Sequence, residues 1–149
     1  MGALAPIVPR EYFGIEKVID DDLFLTQTGS ADLVAGVKQK NVDYVLDHLS
    51  YVCDAAGTGT AATIYVIKLA HSLDISAALA APTSTGTLLA TLVAANNATN
   101  ARTAISLDAF TLAERKVAYT DRIVVIVTRS SGSFDLKNFT LMILGRTNI

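Results

Sequence analysis

The strongest pattern in the chain lies near its end, where Ile123, Val124, Val125, Ile126 and Val127 are consecutive and Phe139, Leu141 and Ile143 then alternate with other residues. Branching at Cβ restricts χ1 in a helical turn and packs well on a pleated surface, so both runs predict strands. Between them stand Ser130, Ser131, Gly132 and Ser133, a turn composition. The expected unit is a buried antiparallel hairpin. Upstream, Ile64, Val66 and Lys68 alternate with Tyr65, Ile67 and Leu69, another strand. Residues 42–53 fit two periods. Val42, Val45, Leu46, Leu49 and Val52 sit at helical spacing, whereas Tyr44, Leu46 and His48, followed out of step by Leu49, Tyr51 and Cys53, fit a bulged strand. The Gly, Thr and Ala turn after Cys53 and the strand beyond it favour the second reading and a second hairpin.

Elsewhere the pattern is weaker. Residues 14–19 and 23–27 read as short β-runs with a turn at Asp20, Asp21 and Asp22. Residues 86–96 fit a helix, with Leu88, Leu89, Leu92 and Val93 on one face, or a strand lying across a sandwich. Ile105, Leu107 and Ala109 alternate before a change of step at Phe110 and Leu112, a kinked strand. Seven or eight short strands with Gly, Ser, Asn and Asp between them predict an all-β fold, an antiparallel β-sandwich of jelly-roll type with an extended N-terminal arm. The expected division is residues 1–40, an arm with short strands contacting neighbouring subunits, and residues 41–149, the sandwich. Pro6 and Pro9 disfavour a helix at the start of the arm. Its apolar residues Leu4, Ile7, Val8, Tyr12 and Phe13 are the candidate partner-binding residues, because a terminus becomes ordered when it is tied down.

Composition sharpens this picture. With 149 residues, one domain with its own core is expected; a chain of this size buries about 68–70% of its unfolded surface. It is 51% hydrophobic and 17% charged, where globular chains average about 25% charged, so surface covered by other chains is expected. No apolar run approaches the roughly 20 residues of a membrane-crossing helix, and the first thirteen residues have no basic segment followed by an apolar one, so neither a membrane association nor a targeting signal is expected. The net charge of −2 divides into −5 for residues 1–75 (five Lys/Arg, ten Asp/Glu) and +3 for residues 76–149 (seven against four). That asymmetry fits either complementary docking of subunits or scattered solvated charge. Without a basic cluster interleaved with aromatics, direct nucleic-acid binding is not expected.

Candidate chemistry is sparse. The Gly-Thr-Gly-Thr at 57–60 lacks the Lys of a phosphate-binding loop. His48 and His71 are the two histidines, and no nucleophile-elbow or metal-ligand spacing accompanies them. The triplet Asp20–Asp22 lacks the alternation and closing Glu of a calcium loop. No catalytic residue, metal or cofactor is expected, and the reading is of a non-enzyme. Cys53, the single cysteine, reads as a buried hydrophobe. Tyr12, Phe13, Tyr44, Tyr51, Tyr65 and Tyr119 fit either core packing or a sugar-binding face. Asn97-Ala98-Thr99 and Asn138-Phe139-Thr140 match the glycosylation pattern but follow no secretory signal.

Two stretches together resemble a known class. LSYVCDAAGTGTAATIYVI (residues 49–67) and VAYTDRIVVIVTRSSGSFDLKNFTLMILGR (residues 117–146) are similar to small β-sandwich proteins of tailed-bacteriophage particles, capsid decoration (cement) proteins and related head-fibre and tail modules. The likeness covers residues 42–145. One departure is Tyr119-Thr120-Asp121, where the family commonly reads Gly-Asp. The resemblance implies a structural virion protein on the outside of a phage head, often a homotrimer at three-fold positions, that clamps major capsid proteins together. The alternative is a receptor- or carbohydrate-binding module of a phage tail or fibre.

Overall fold

The computed structural model describes residues 18–29, 32–53, 55–56, 62–93, 99–129 and 134–147. Their strands are β1 (Val18–Gly29), β2 (Leu33–Lys38), β3 (Tyr44–Cys53), β4 (Ala55–Ala56), β5 (Ala62–Leu69), β6 (Thr87–Val93), β7 (Thr99–Ile105), β8 (Lys116–Val117), β9 (Arg122–Arg129) and β10 (Phe134–Arg146). Two short helices join them, α1 (Ile75–Ala80) and α2 (Leu112–Arg115). The larger sheet has the order β1-β10-β3-β7, with β4 on β10 and β8 on β3; the smaller has the order β2-β9-β5-β6. Every pairing is antiparallel, and the fold is an all-β sandwich.

Long-range partners are nested. β1 pairs with β10, β2 with β9, β3 with β7 and β5 with β6, so the chain behaves as one antiparallel ribbon with its tip at β5 and β6. Successive segments of that ribbon fall in opposite sheets. The two hairpins expected from the sequence are therefore corrected. β9 lies in the smaller sheet and β10 in the larger, and β3 and β5 are divided in the same way. A turn composition shows that the chain reverses; it does not say whether the returning strand pairs with the first or crosses to face it.

The acidic turn is also corrected. β1 runs through Asp20, Asp21 and Asp22, which pair with Leu144, Ile143 and Met142. Nor does residue 40 bound the sandwich, since β1 and β2 supply a strand to each sheet. Of the two ambiguous segments, residues 44–53 form the bulged strand β3 and residues 87–93 form the strand β6. The bulge lies where the residue pattern changes step. Leu144 pairs with His48 and Gly145 with Leu46, leaving Asp47 as the extra residue, and Tyr44, Leu46, Leu49 and Tyr51 all join the core. The kinked strand at 105–112 is instead the end of β7 followed by α2, with Ala109 and Leu112 exposed.

Between the sheets lies the main core, which includes Leu46, Leu49, Ile64, Val66, Phe139, Leu141 and Ile143. Tyr51 stacks on Phe139 with ring centroids 5.9 Å apart. A second apolar cluster, Ile67, Leu69, Val124, Ile126 and Ala78, covers the other face of the smaller sheet, with Ile75 and Leu79 of α1 packed on it. This explains five consecutive buried residues in β9. Ile123, Val125 and Val127 face the main core while Val124 and Ile126 face α1, and each fully buried side chain of this kind contributes about 1.5–3 kcal/mol.

Candidate functional site

On the larger sheet α2 contacts β3 and β8, while Met142 and Leu144 of β10 remain half-buried. Residues directly opposite each other in an antiparallel pair share a face. Met142 of β10 stands opposite Ser50 of β3, which stands opposite Ala104 of β7; Leu144 stands opposite His48. Phe139, Leu141 and Ile143 point into the core, so Met142 and Leu144 point outward, and both are half-buried. Together with His48, Ser50 and Ala104 they line an open groove of about 500 Å³. A second groove of about 520 Å³ continues from it past Asp47 and Arg115, sharing His48 and Ala104. The surface is thus an apolar furrow with an imidazole and a hydroxyl set in its floor. Such a surface offers contact area and a few hydrogen bonds.

Its shape is fixed from one end. Thr111 caps α2: its hydroxyl accepts from the Glu114 amide at 3.3 Å, and the Glu114 carboxylate accepts from the Thr111 amide at 2.7 Å. From α2, Arg115 donates through Nη1 to the Leu46 carbonyl at 3.2 Å, beside the β3 bulge. From the smaller sheet, Lys68 donates through Nζ to the carbonyls of Glu114 and Lys116, the latter at 2.9 Å. One short helix so ties both sheets together. Burial lowers the Lys68 pKa, opposed by the attraction of Asp121 and Glu114, whereas the hydrogen bonds from Thr111 hold the Glu114 carboxyl below its ordinary value. Asp47, the bulge residue, pairs with Arg146 at 2.7 Å; with Arg146 side chain 42% exposed, an ion pair of this kind contributes about 0–1 kcal/mol.

Glycine is required at one point of this construction. A Cβ on Gly145 would lie 2.6 Å from the Val45 carbonyl oxygen and 2.8 Å from the Tyr44 ring, which holds β10 close to β3 just beyond the furrow.

The sequence-derived candidates Leu4, Ile7, Val8, Tyr12 and Phe13 lie outside the described residues. So do the side chain of Cys53 and the 57–60 turn. Of the two histidines, His48 lies in the furrow, and His71 is exposed in the loop after β5. Tyr44 and Tyr51 are buried in the core, Tyr65 is partly buried against the cluster under α1, and Tyr119 is 60% exposed. Among the described residues no three His, Cys, Asp or Glu side chains gather as a metal site needs, and no helix is long and apolar enough to cross a membrane. Sequence reasoning missed the furrow itself, because Met142 and Leu144 acquire their neighbours only through register with strands far away in the chain. The α2 cap was detectable from Thr111 followed three residues later by Glu114.

No family model matches the sequence, and no curated protein does. Among solved structures, the fold is similar to a chain from Bacillus endospore appendages, described as a novel family of disulfide-linked pili, at 15% identity over 90% of this chain and 91% of that one, with a TM-score of 0.43.

Proposed function

We propose that this chain is a structural, non-catalytic virion protein, a decoration (cement) protein that binds the outside of a tailed-phage head and stabilises contacts between major capsid proteins. What carries the reading is the inequality of the two outer faces. One is sealed by α1, and the other is left as an apolar furrow on a rigid sheet, a form suited to a partner rather than to a reaction. The connectivity supports it further. With β4 and β8 set aside, the orders β1-β10-β3-β7 and β2-β9-β5-β6 favour reading the sandwich as a jelly roll, an architecture found among viral capsid domains. In this role the protein acts as a homo-oligomer, a trimer at three-fold positions, with the N-terminal segment reaching a neighbour.

Co-sedimentation with undecorated phage heads tests the reading. Saturable binding that falls when residues 2–12 are deleted agrees with it. Absence of binding to any head, with binding to a glycan array instead, would transfer the chain to the receptor-binding class.

A further inference from the structure

We propose that the furrow at His48, Ser50, Ala104, Met142 and Leu144 is the receptor for residues 4–10 of a second copy's N-terminal segment. The inference deepens the proposed role and rests on it only in treating the protein as one that assembles with itself.

Chain geometry supplies the first argument. Seventeen residues precede β1, which the chain enters at Val18, opposite Arg146 at one end of the larger sheet. Fully extended, seventeen residues reach up to about 56 Å. The direction of β1 leads from Val18, opposite Arg146, towards Asp22, opposite Met142, so the preceding chain joins the sheet from beyond its Arg146 end. A second copy is therefore a more direct target than the furrow of the same chain, which would require a reversal.

Chemistry supplies the second. Leu4, Ile7 and Val8 are apolar, and Pro6 and Pro9 have no amide hydrogen, so residues 4–10 present apolar side chains and seven backbone carbonyl acceptors against five amide donors. The furrow presents the complement, with Met142, Leu144 and Ala104 for the side chains and the Ser50 hydroxyl and His48 ring as hydrogen-bond donors. Charge agrees as well. Arg10 follows Pro9, and the backbone positions beside the furrow on the edge strand β1 are Asp20, opposite Leu144, and Asp22, opposite Met142.

Disulfide trapping in a Cys53→Ser background tests the assignment without any phage particle, so its failure is distinct from a failure to bind heads. One preparation carries Val8→Cys and a second, distinguishable by mass, carries Leu144→Cys; both are first shown to keep the parental circular dichroism and melting temperature. A disulfide between the two preparations on mixing is expected. Formation only within a chain in the double variant Val8→Cys/Leu144→Cys overturns the second-copy assignment, and no disulfide in either arrangement overturns the site altogether. Independently, Arg10→Glu is expected to weaken self-association about 2- to 5-fold, as an exposed ion pair allows, with recovery in the pair Arg10→Glu/Asp22→Lys; unchanged association in both variants counts against the arrangement.

Discussion

The outer faces of the two sheets are built from similar residues and come to different ends. On the smaller sheet, Val124 and Ile126 are fully buried because Ile75, Ala78 and Leu79 of α1 lie over the sheet. On the larger sheet, Met142 and Leu144 occupy the equivalent outward positions of a central strand and remain half-buried along a furrow. An apolar side chain on a sheet therefore does not by itself define a core. What completes the burial decides its role, and only one of these faces is completed within the described chain. The high apolar content is partly accounted for by the cluster under α1, and the furrow is the surface that the proposed assembly would cover.

The comparison can be broken by truncation. Ile126→Ala, beneath α1, is expected to cost about 2–5 kcal/mol in urea unfolding, and Leu144→Ala under about 1 kcal/mol. Equal losses would mean that the larger sheet's outer face is already covered in the isolated chain. Gly145→Ala should cost about 1–3 kcal/mol, since its Cβ meets the Val45 carbonyl, and should also disturb the furrow by pushing β10 away from β3. A normal melting temperature for that variant would show that the two strands have slack.

A smaller effect concerns the helix that ties the sheets together. Thr111→Ala removes the α2 cap at a cost of about 1 kcal/mol. The Glu114 carboxyl titrates lower in the folded chain than in the unfolded one, so its contribution is present above the unfolded value and is lost as pH falls through the folded one. Thr111→Ala should therefore flatten the acid side of the stability profile, which thermal melts between pH 3 and 6 would reveal. Lys68 has the opposite dependence. Its pKa is lowered on folding by burial, so the unfolded chain binds more protons between the lowered value and the ordinary lysine value, and stability gained from this group rises with pH across that window. Lys68→Met should remove that rise, seen as a flatter alkaline profile by the same melts.

How far the sequence disclosed this follows from the range of each interaction. The burial of Ile123–Val127, the alternation of Phe139, Leu141 and Ile143, and the change of step between Leu46 and Leu49 were legible, because each is a local consequence of side-chain period. The partners were not. Ser130–Ser133 is equally compatible with a hairpin and with a crossing between sheets, and the choice depends on β1, β2 and β3, far earlier in the chain. Helix α1 escaped notice because its apolar stripe, Ile75, Ala78 and Leu79, spans little more than one turn and stands among alanines; it is held by the sheet beneath it. The furrow was hidden for the reason that Leu144 and His48 become neighbours only through the β3–β10 register.

The central claim is that the larger sheet's outer face is reserved for assembly. Hydroxyl-radical footprinting tests it directly, because Met142 is the one methionine besides Met1 and a thioether on an accessible face oxidises readily. The account predicts that Met142 is labelled in the dilute chain and protected once the protein assembles with itself or on undecorated heads, while Val124 and Ile126 stay unlabelled in both states. Equal labelling of Met142 before and after assembly would contradict it.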